Sequence, residues 1–170
     1  MLVSSSPWLS EEIPADARVK IHVLPPVSGR VGKLSEHPDP LVQAGLLGQG
    51  AVLTTSSHQV LAPMSGKVVA CDPLSYSFLL HTRQGLRLTI AYGFDTARLM
   101  GEKCEFKVRV GDQVKAGQVV LQINPVWLKR QQIPNCCTVT VRNTGKLRAL
   151  VITSARQVTP QHDTLFTVYA

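Results

Sequence analysis

The sequence predicts an all-β fold, a compact sandwich or barrel-like domain of many short antiparallel strands. Three observations predict it. Short runs rich in Val, Ile, Leu, Thr and aromatic residues alternate with Gly, Pro, Asn and Asp turns. No window sustains the 3.6-residue apolar period of a long amphipathic helix. The composition, 44% hydrophobic and only 17% charged, belongs to a chain that buries a core. At 170 residues, one domain is the economical expectation.

Residues 1–18 read as a flexible arm. Ser4–Ser6, Pro7, Pro14 and the pair Glu11–Glu12 oppose a long regular element, and Trp8 and Leu9 offer an apolar contact to the body or to a partner. Residues 19–170 form the β domain. The expected strands are KIHVL (20–24), GRVGKL (29–34), AVLTTS (51–56), GKVVAC (66–71), YSFLLHT (76–82) and LRLTIAY (86–92). They continue with CEFKVRV (104–110), VVLQIN (119–124), CTVTVRN (137–143), ALVIT (149–153) and TLFTVYA (164–170). Two short helical candidates, PLVQAGLL (40–47) and VWLKRQQ (126–132), each follow or contain a bounding Pro.

Two patterns recur. PPVSGRVGKL (25–34) is similar to APMSGKVVAC (62–71): Pro, then Ser-Gly, then a basic residue and a β run. Gly at that place suits a turn with positive φ. VRVGDQVKAGQVVLQIN (108–124) holds two more tight turns, at Gly111-Asp112 and Ala116-Gly117. The repetition predicts pseudo-repeated hairpins rather than a solenoid.

The formal charge of +7 is dispersed, with no basic helix or arginine-rich arm interleaved with aromatics, so nucleic acid is not the expected partner. Cys71, Cys104, Cys136 and Cys137 form no CxxC pair and no zinc-ligand spacing with histidine, which reads as free thiols in a reducing compartment and no metal. The N-terminal residues have neither a basic n-region nor an apolar run, and nothing approaches a membrane span, so a cytoplasmic protein without membrane insertion is expected.

In order along the chain, VSGRV, LLGQGAVL, VLAPMSGKVV, YSFLLHTRQGLRLTIAYGFDT, VRVGDQVKAGQVVLQIN, LVITSARQV and TLFTVYA resemble the glucose-type enzyme IIA domain of the bacterial phosphoenolpyruvate-dependent sugar phosphotransferase system. The resemblance covers residues 20–170. It implies a β-sandwich with a shallow apolar recognition face, and a phosphoryl relay from a histidine-phosphorylated carrier protein to a cysteine on a IIB domain. APMSGKVV and VRVGDQVKAGQVV also resemble pieces of biotinyl and lipoyl carriers, but Lys67 and Lys115 lack the Met-Lys-Met setting of a modified lysine, so no cofactor is expected. The HxH and HxxxD ligand patterns of metallopeptidases with related hairpins are absent.

In the family, the resemblance implies, one histidine accepts the phosphate and a second on a neighbouring strand supports it. A neutral imidazole nitrogen is nucleophilic near neutral pH and gives a labile phosphoramidate, while the facing histidine meets the growing charge as a donor. Counting from Gly85, the acceptor place holds Ala91 and the supporting place holds Tyr76. The Tyr92-Gly93-Phe94-Asp95-Thr96 run that follows keeps the family's aromatic-Gly-apolar-Asp-Thr pattern and fixes the register. Ala91 has no lone pair to phosphorylate. Tyr76 is a donor but a poor nucleophile. No catalytic residue remains.

The expectation is a divergent, catalytically inactive IIA-like domain that binds proteins, the histidine-phosphorylated carrier or a IIB domain among them. Its expected binding face comprises Tyr76, Phe78, Arg87, Thr89, Ala91, Phe94 and Asp95. Arg87 and Thr89 share strand parity with Ala91, Tyr76 shares it with Phe78, and Asp95 caps the turn. The five histidines, His22, His37, His58, His81 and His162, read as structural or surface residues. Two alternatives stand beside this reading: a structural or assembly role on the same fold, and an active phosphocarrier that uses Cys71.

Overall fold

The structure is a computed structural model that describes residues 10–170. Its strands, in chain order, are β1 (Lys20–Val23), β2 (Gly29–Lys33), β3 (Gln49–Thr54), β4 (Gln59–Leu61), β5 (Gly66–Asp72), β6 (Ser77–Thr82) and β7 (Arg87–Tyr92). They are followed by β8 (Glu105–Phe106), β9 (Gln113–Val114), β10 (Val119–Gln122), β11 (Cys136–Val141), β12 (Ala149–Ile152), β13 (Gln157–Val158) and β14 (Phe166–Tyr169). Two short helices, α1 (Pro40–Gln43) and α2 (Pro125–Arg130), lie where the Pro-bounded candidates predicted them. Each starts on an Asx cap: Asp39 accepts from the Leu41 amide and Asn124 from the Trp127 amide, with Pro in the first turn.

Eight strands form one antiparallel sheet in the order β13-β2-β3-β11-β7-β6-β5-β9, and two three-stranded sheets, β1-β14-β12 and β4-β10-β8, complete a β-sandwich. Alternation decides which side chains enter the core. On β6, Phe78 and Leu80 point inward; on β7, Leu88, Ile90 and Tyr92 do; on β11, Cys137, Val139 and Val141 do. They join Phe166, Val168, Leu121 and Leu128 in one continuous core. A second, smaller cluster of Leu34, Val42, Val52 and Cys136 sits on the other side of the large sheet and holds the segment that contains α1 against it. That cover explains why β11 is buried at every position although only alternate residues face the main core.

The strands read from sequence are present, with one much shorter: CEFKVRV yields only Glu105–Phe106. The short strands β4, β9 and β13 were not legible, because two or three residues make no period. The repeated Ser-Gly opens β2 and β5 as the repeat implies, but the reason for glycine is corrected. Gly29 and Gly66 do not have positive φ. Instead, a Cβ would lie 2.3 Å from the Thr54 carbonyl oxygen at Gly29 and 2.6 Å from that of His81 at Gly66. These are close backbone approaches, whereas Gly111 and Gly117 do adopt the positive φ of their turns.

Of the residues read as an arm, Met1–Leu9, including Trp8, lie outside the described residues. Ser10 bridges to Ala149, Asp16 pairs with Arg148 at 2.8 Å, and the Arg18 amide donates to the Ala170 carbonyl. Hydrogen bonding by Arg148 holds the Asp16 carboxyl below its ordinary pKa. Among the described residues, no helix is long and apolar enough to cross a membrane.

Candidate functional site

The outward side of β7 forms the floor of a cavity of about 430 Å³. Register builds it. Ser77 of β6 stands opposite Ala91, and Leu79 opposite Thr89. On the other flank, Thr138 and Thr140 of β11 stand opposite Ala91 and Thr89. Directly opposite residues point to the same side of a sheet, so Thr89, Ala91, Thr138 and Thr140 share the floor. The Thr138 hydroxyl donates to the Ala91 carbonyl at 3.3 Å and the Thr140 hydroxyl to that of Thr89 at 3.5 Å. The Thr89 hydroxyl is buried and, among the described residues, has no partner.

Two turns and the α1 segment supply the walls. After β7 the chain turns through Gly93 (φ 76°) and Asp95 (φ 58°), which brings Phe94 and Asp95 to the rim. Asp95 pairs with Arg98 at 3.4 Å, and Arg98 also donates to the Gln131 carbonyl. After β5, Asp72 accepts from the Leu74 amide and the Ser75 hydroxyl, and the Thr96 hydroxyl donates to the Leu74 carbonyl at 2.8 Å, locking the two turns together. Exposed Leu47, Leu74 and Phe94 give the rim an apolar character, with Leu41 and Leu46 exposed on the adjoining α1 segment.

Of the seven residues expected on a binding face, Thr89, Ala91, Phe94 and Asp95 line this cavity. Arg87 is on the same side of β7 but at its far end, and the wall cation is Arg142. Tyr76 and Phe78 are corrected: both are in the core. They do share parity, but the register pairs Ser77 with Ala91, so the even-numbered side chains of β6 point away from the cavity. Tyr76 has a positive φ of 49° and is fully buried, and its hydroxyl donates to the Glu102 carbonyl. Burial first, then the charges of Cys104 and Glu102, push its pKa up to about 12. Cys71 is opposite Phe78 and packs against the core, and burial raises its thiol pKa, as does the nearby Asp112. It is a protonated thiol away from the cavity.

Sequence reasoning missed His37. It lies far from β7 in the chain, and nothing in HPDP signals contact with Ala91. Yet it lines the same cavity at 4% exposure. Its Nδ1 accepts from the Asp39 amide at 3.0 Å, and Phe94 meets its ring edge-on at 5.9 Å between centroids. With Nδ1 accepting, the neutral ring carries its proton on Nε2 and presents no free lone pair, and its contact with Phe94 ties the α1 segment to the turn after β7. Burial lowers its pKa despite the charge of Asp39. A histidine with a depressed folded pKa resists a proton that the unfolded chain accepts. Its contribution to stability is therefore present above the ordinary value of 6.5 and is lost as pH falls below it toward the folded value. We predict that the stability advantage of wild type over His37→Gln, followed by urea unfolding, shrinks from about pH 7.5 to about pH 5. A constant difference would remove the buried neutral ring from the account.

Comparisons with known proteins agree with this fold. The family model described as "phosphoenolpyruvate-dependent sugar phosphotransferase system, EIIA 1" matches residues 21–147. The glucose-specific EIIBCA component of Corynebacterium glutamicum is 31% identical over 137 residues, which are 81% of this chain and 20% of that protein, so the chain spans about a fifth of that relative's length. The glucose-specific EIIA component of Oceanobacillus iheyensis is 24% identical over 140 residues, covering 82% of this chain and 85% of the relative. Among solved structures, the glucose permease IIA from Mycoplasma capricolum matches with a TM-score of 0.78 at 24% identity, over 88% of this chain and 96% of that one.

Proposed function

The chain belongs to the EIIA 1 family of the phosphoenolpyruvate-dependent sugar phosphotransferase system, and from that premise we propose that it binds protein partners through its cavity face without taking up phosphate. One observation carries the reading: the middle of the cavity floor is Ala91, and among the described residues that line the cavity no free histidine or cysteine stands in its place. His37 spends its Nδ1 lone pair on the Asp39 amide, Tyr76 is in the core, and Cys71 faces the core as a protonated thiol. Threonine hydroxyls on the floor are weak nucleophiles without a nearby free base.

The rim is still suited to contact. Exposed Leu47, Leu74 and Phe94 surround a concave site, and apolar anchors in and around a pocket supply most of the energy of a protein interface. The partners this implies are the histidine-phosphorylated carrier protein and a IIB domain. A domain held permanently in the unphosphorylated form acts on them as a constitutive regulator or a decoy.

The test has two arms. Incubation with phosphoenolpyruvate, enzyme I, the carrier protein and labelled phosphate should leave the chain unlabelled; acid-labile label on it overturns the silent reading. In the second arm, wild type should bind the carrier or a IIB domain, and Leu47→Asp should weaken that binding about tenfold or more with unchanged circular dichroism. Absence of binding to either partner would favour the structural or assembly role.

A further inference from the structure

We infer that the same sheet face carries a basic docking strip, formed by Lys67, His81, Arg87 and Arg142, that receives an acidic protein surface. The inference deepens the protein-binding reading of this face and rests on it. Register places the four side chains in one row across four adjacent strands. Lys67 of β5 stands opposite His81 of β6, and His81 stands opposite Arg87 of β7. The Arg142 amide, one residue past β11, donates to the Arg87 carbonyl at 2.9 Å, continuing the register in which Val141 faces Leu88. With neighbouring strands roughly 4.8 Å apart, the row is about 14 Å long.

All four side chains are exposed. Among the described residues, the ion pairs are Asp95 with Arg98, Glu105 with Lys107 and Asp16 with Arg148, so none engages the row. Like charges directly opposite one another in a sheet are destabilising, and here Arg87 and Arg142 are such a pair. The fold gains nothing visible from this arrangement, which suits a counter-charge brought by a partner.

The face is also polarised. The acidic groups, Asp39, Asp72 and Asp95, lie on the cavity rim, and each is already used: two cap turns and one pairs with Arg98. Arg142 belongs to both the cavity wall and the row, so the strip and the apolar rim are continuous. A protein segment with acidic side chains beside an apolar anchor matches this sequence of surfaces. No Phe, Tyr or Trp stands in the row to give the broad stacking platform of a single-strand binder, which disfavours single-stranded nucleic acid.

The test uses the isotope-labelled full chain and three probes: poly-L-glutamate, poly-L-lysine and a single-stranded oligodeoxynucleotide. Poly-L-glutamate should shift the amides of Lys67, His81, Arg87 and Arg142 before those of Lys129 and Arg130 on α2. The effect should disappear between about 25 mM and about 300 mM salt. The triple variant K67Q/R87Q/R142Q should keep its spectral dispersion and bind poly-L-glutamate at least about tenfold more weakly; Arg142→Gln alone should show a smaller loss in the same direction. Shifts centred on other basic residues, unchanged binding by the triple variant, or tighter binding of the oligodeoxynucleotide on the row would overturn the inference. No carrier or IIB domain enters this titration, so its outcome is separate from the affinity arm that tests the binding module itself.

Discussion

Tyr76→Ala is expected to cost about 3–5 kcal/mol of stability, the range for truncating a large aromatic side chain in a core. Tyr76 is fully buried, packs in the main cluster and donates its hydroxyl to the Glu102 carbonyl. Two terms add: the apolar ring surface is lost, and the cavity left behind is bounded by strands that cannot collapse independently. Tyr76→Phe keeps the ring and loses only the hydrogen bond, at about 1 kcal/mol. Urea unfolding followed by circular dichroism separates the cases. An exposed aromatic on a recognition face would instead give changes within about 0.5 kcal/mol for either variant, and that result would return Tyr76 to the surface. The expected order, alanine far worse than phenylalanine, also predicts that loss of partner binding in Tyr76→Ala follows loss of fold.

Gly50→Ala is expected to destabilise the domain by about 4 kcal/mol or more, beyond the usual range for one substitution. Gly50 stands in β3 opposite Thr140 of β11. A Cβ there would lie 1.8 Å from the Val139 carbonyl oxygen. The obstacle is backbone, so no change of rotamer relieves it. β3 and β11 must separate, and the ladder that carries Thr138 and Thr140 on the cavity floor is disturbed with them. Gly145→Ala is the control: nothing stands within 4 Å of a Cβ there and φ is not positive, so its midpoint should move little. Equal midpoints for the two variants would show that β3 and β11 lie further apart than described.

Much of the fold was legible because its signals are local. Alternation along LRLTIAY and CTVTVRN marks strands, Pro after Asp39 and Asn124 marks helix starts, and Gly111 and Gly117 mark turns. Period two also put Arg87, Thr89 and Ala91 on one side of β7, which holds, and grouped Tyr76 with Phe78, which both enter the core although Tyr76 precedes β6. What parity within a strand does not contain is the offset between strands. Ser77 rather than Tyr76 meets Ala91, and that single-residue register sends the two aromatics into the core. The same limit hid His37 and Arg142, which reach the cavity through a packed loop and a neighbouring strand.

The sequence by itself therefore determined the class of fold, the family, the turns, and the absence of a histidine at residue 91, since each depends on residue identity in local order. Only the tertiary structure decided which residues make the face. It set the threonine floor around Ala91, placed Tyr76 inside, bound the Nδ1 of His37 to the Asp39 amide, and aligned Lys67, His81, Arg87 and Arg142 in a row. The physical reason is that a face is built across strands: cross-strand register and the packing of the α1 segment are fixed by the free energy of the whole core, not by the run of residues along any one strand.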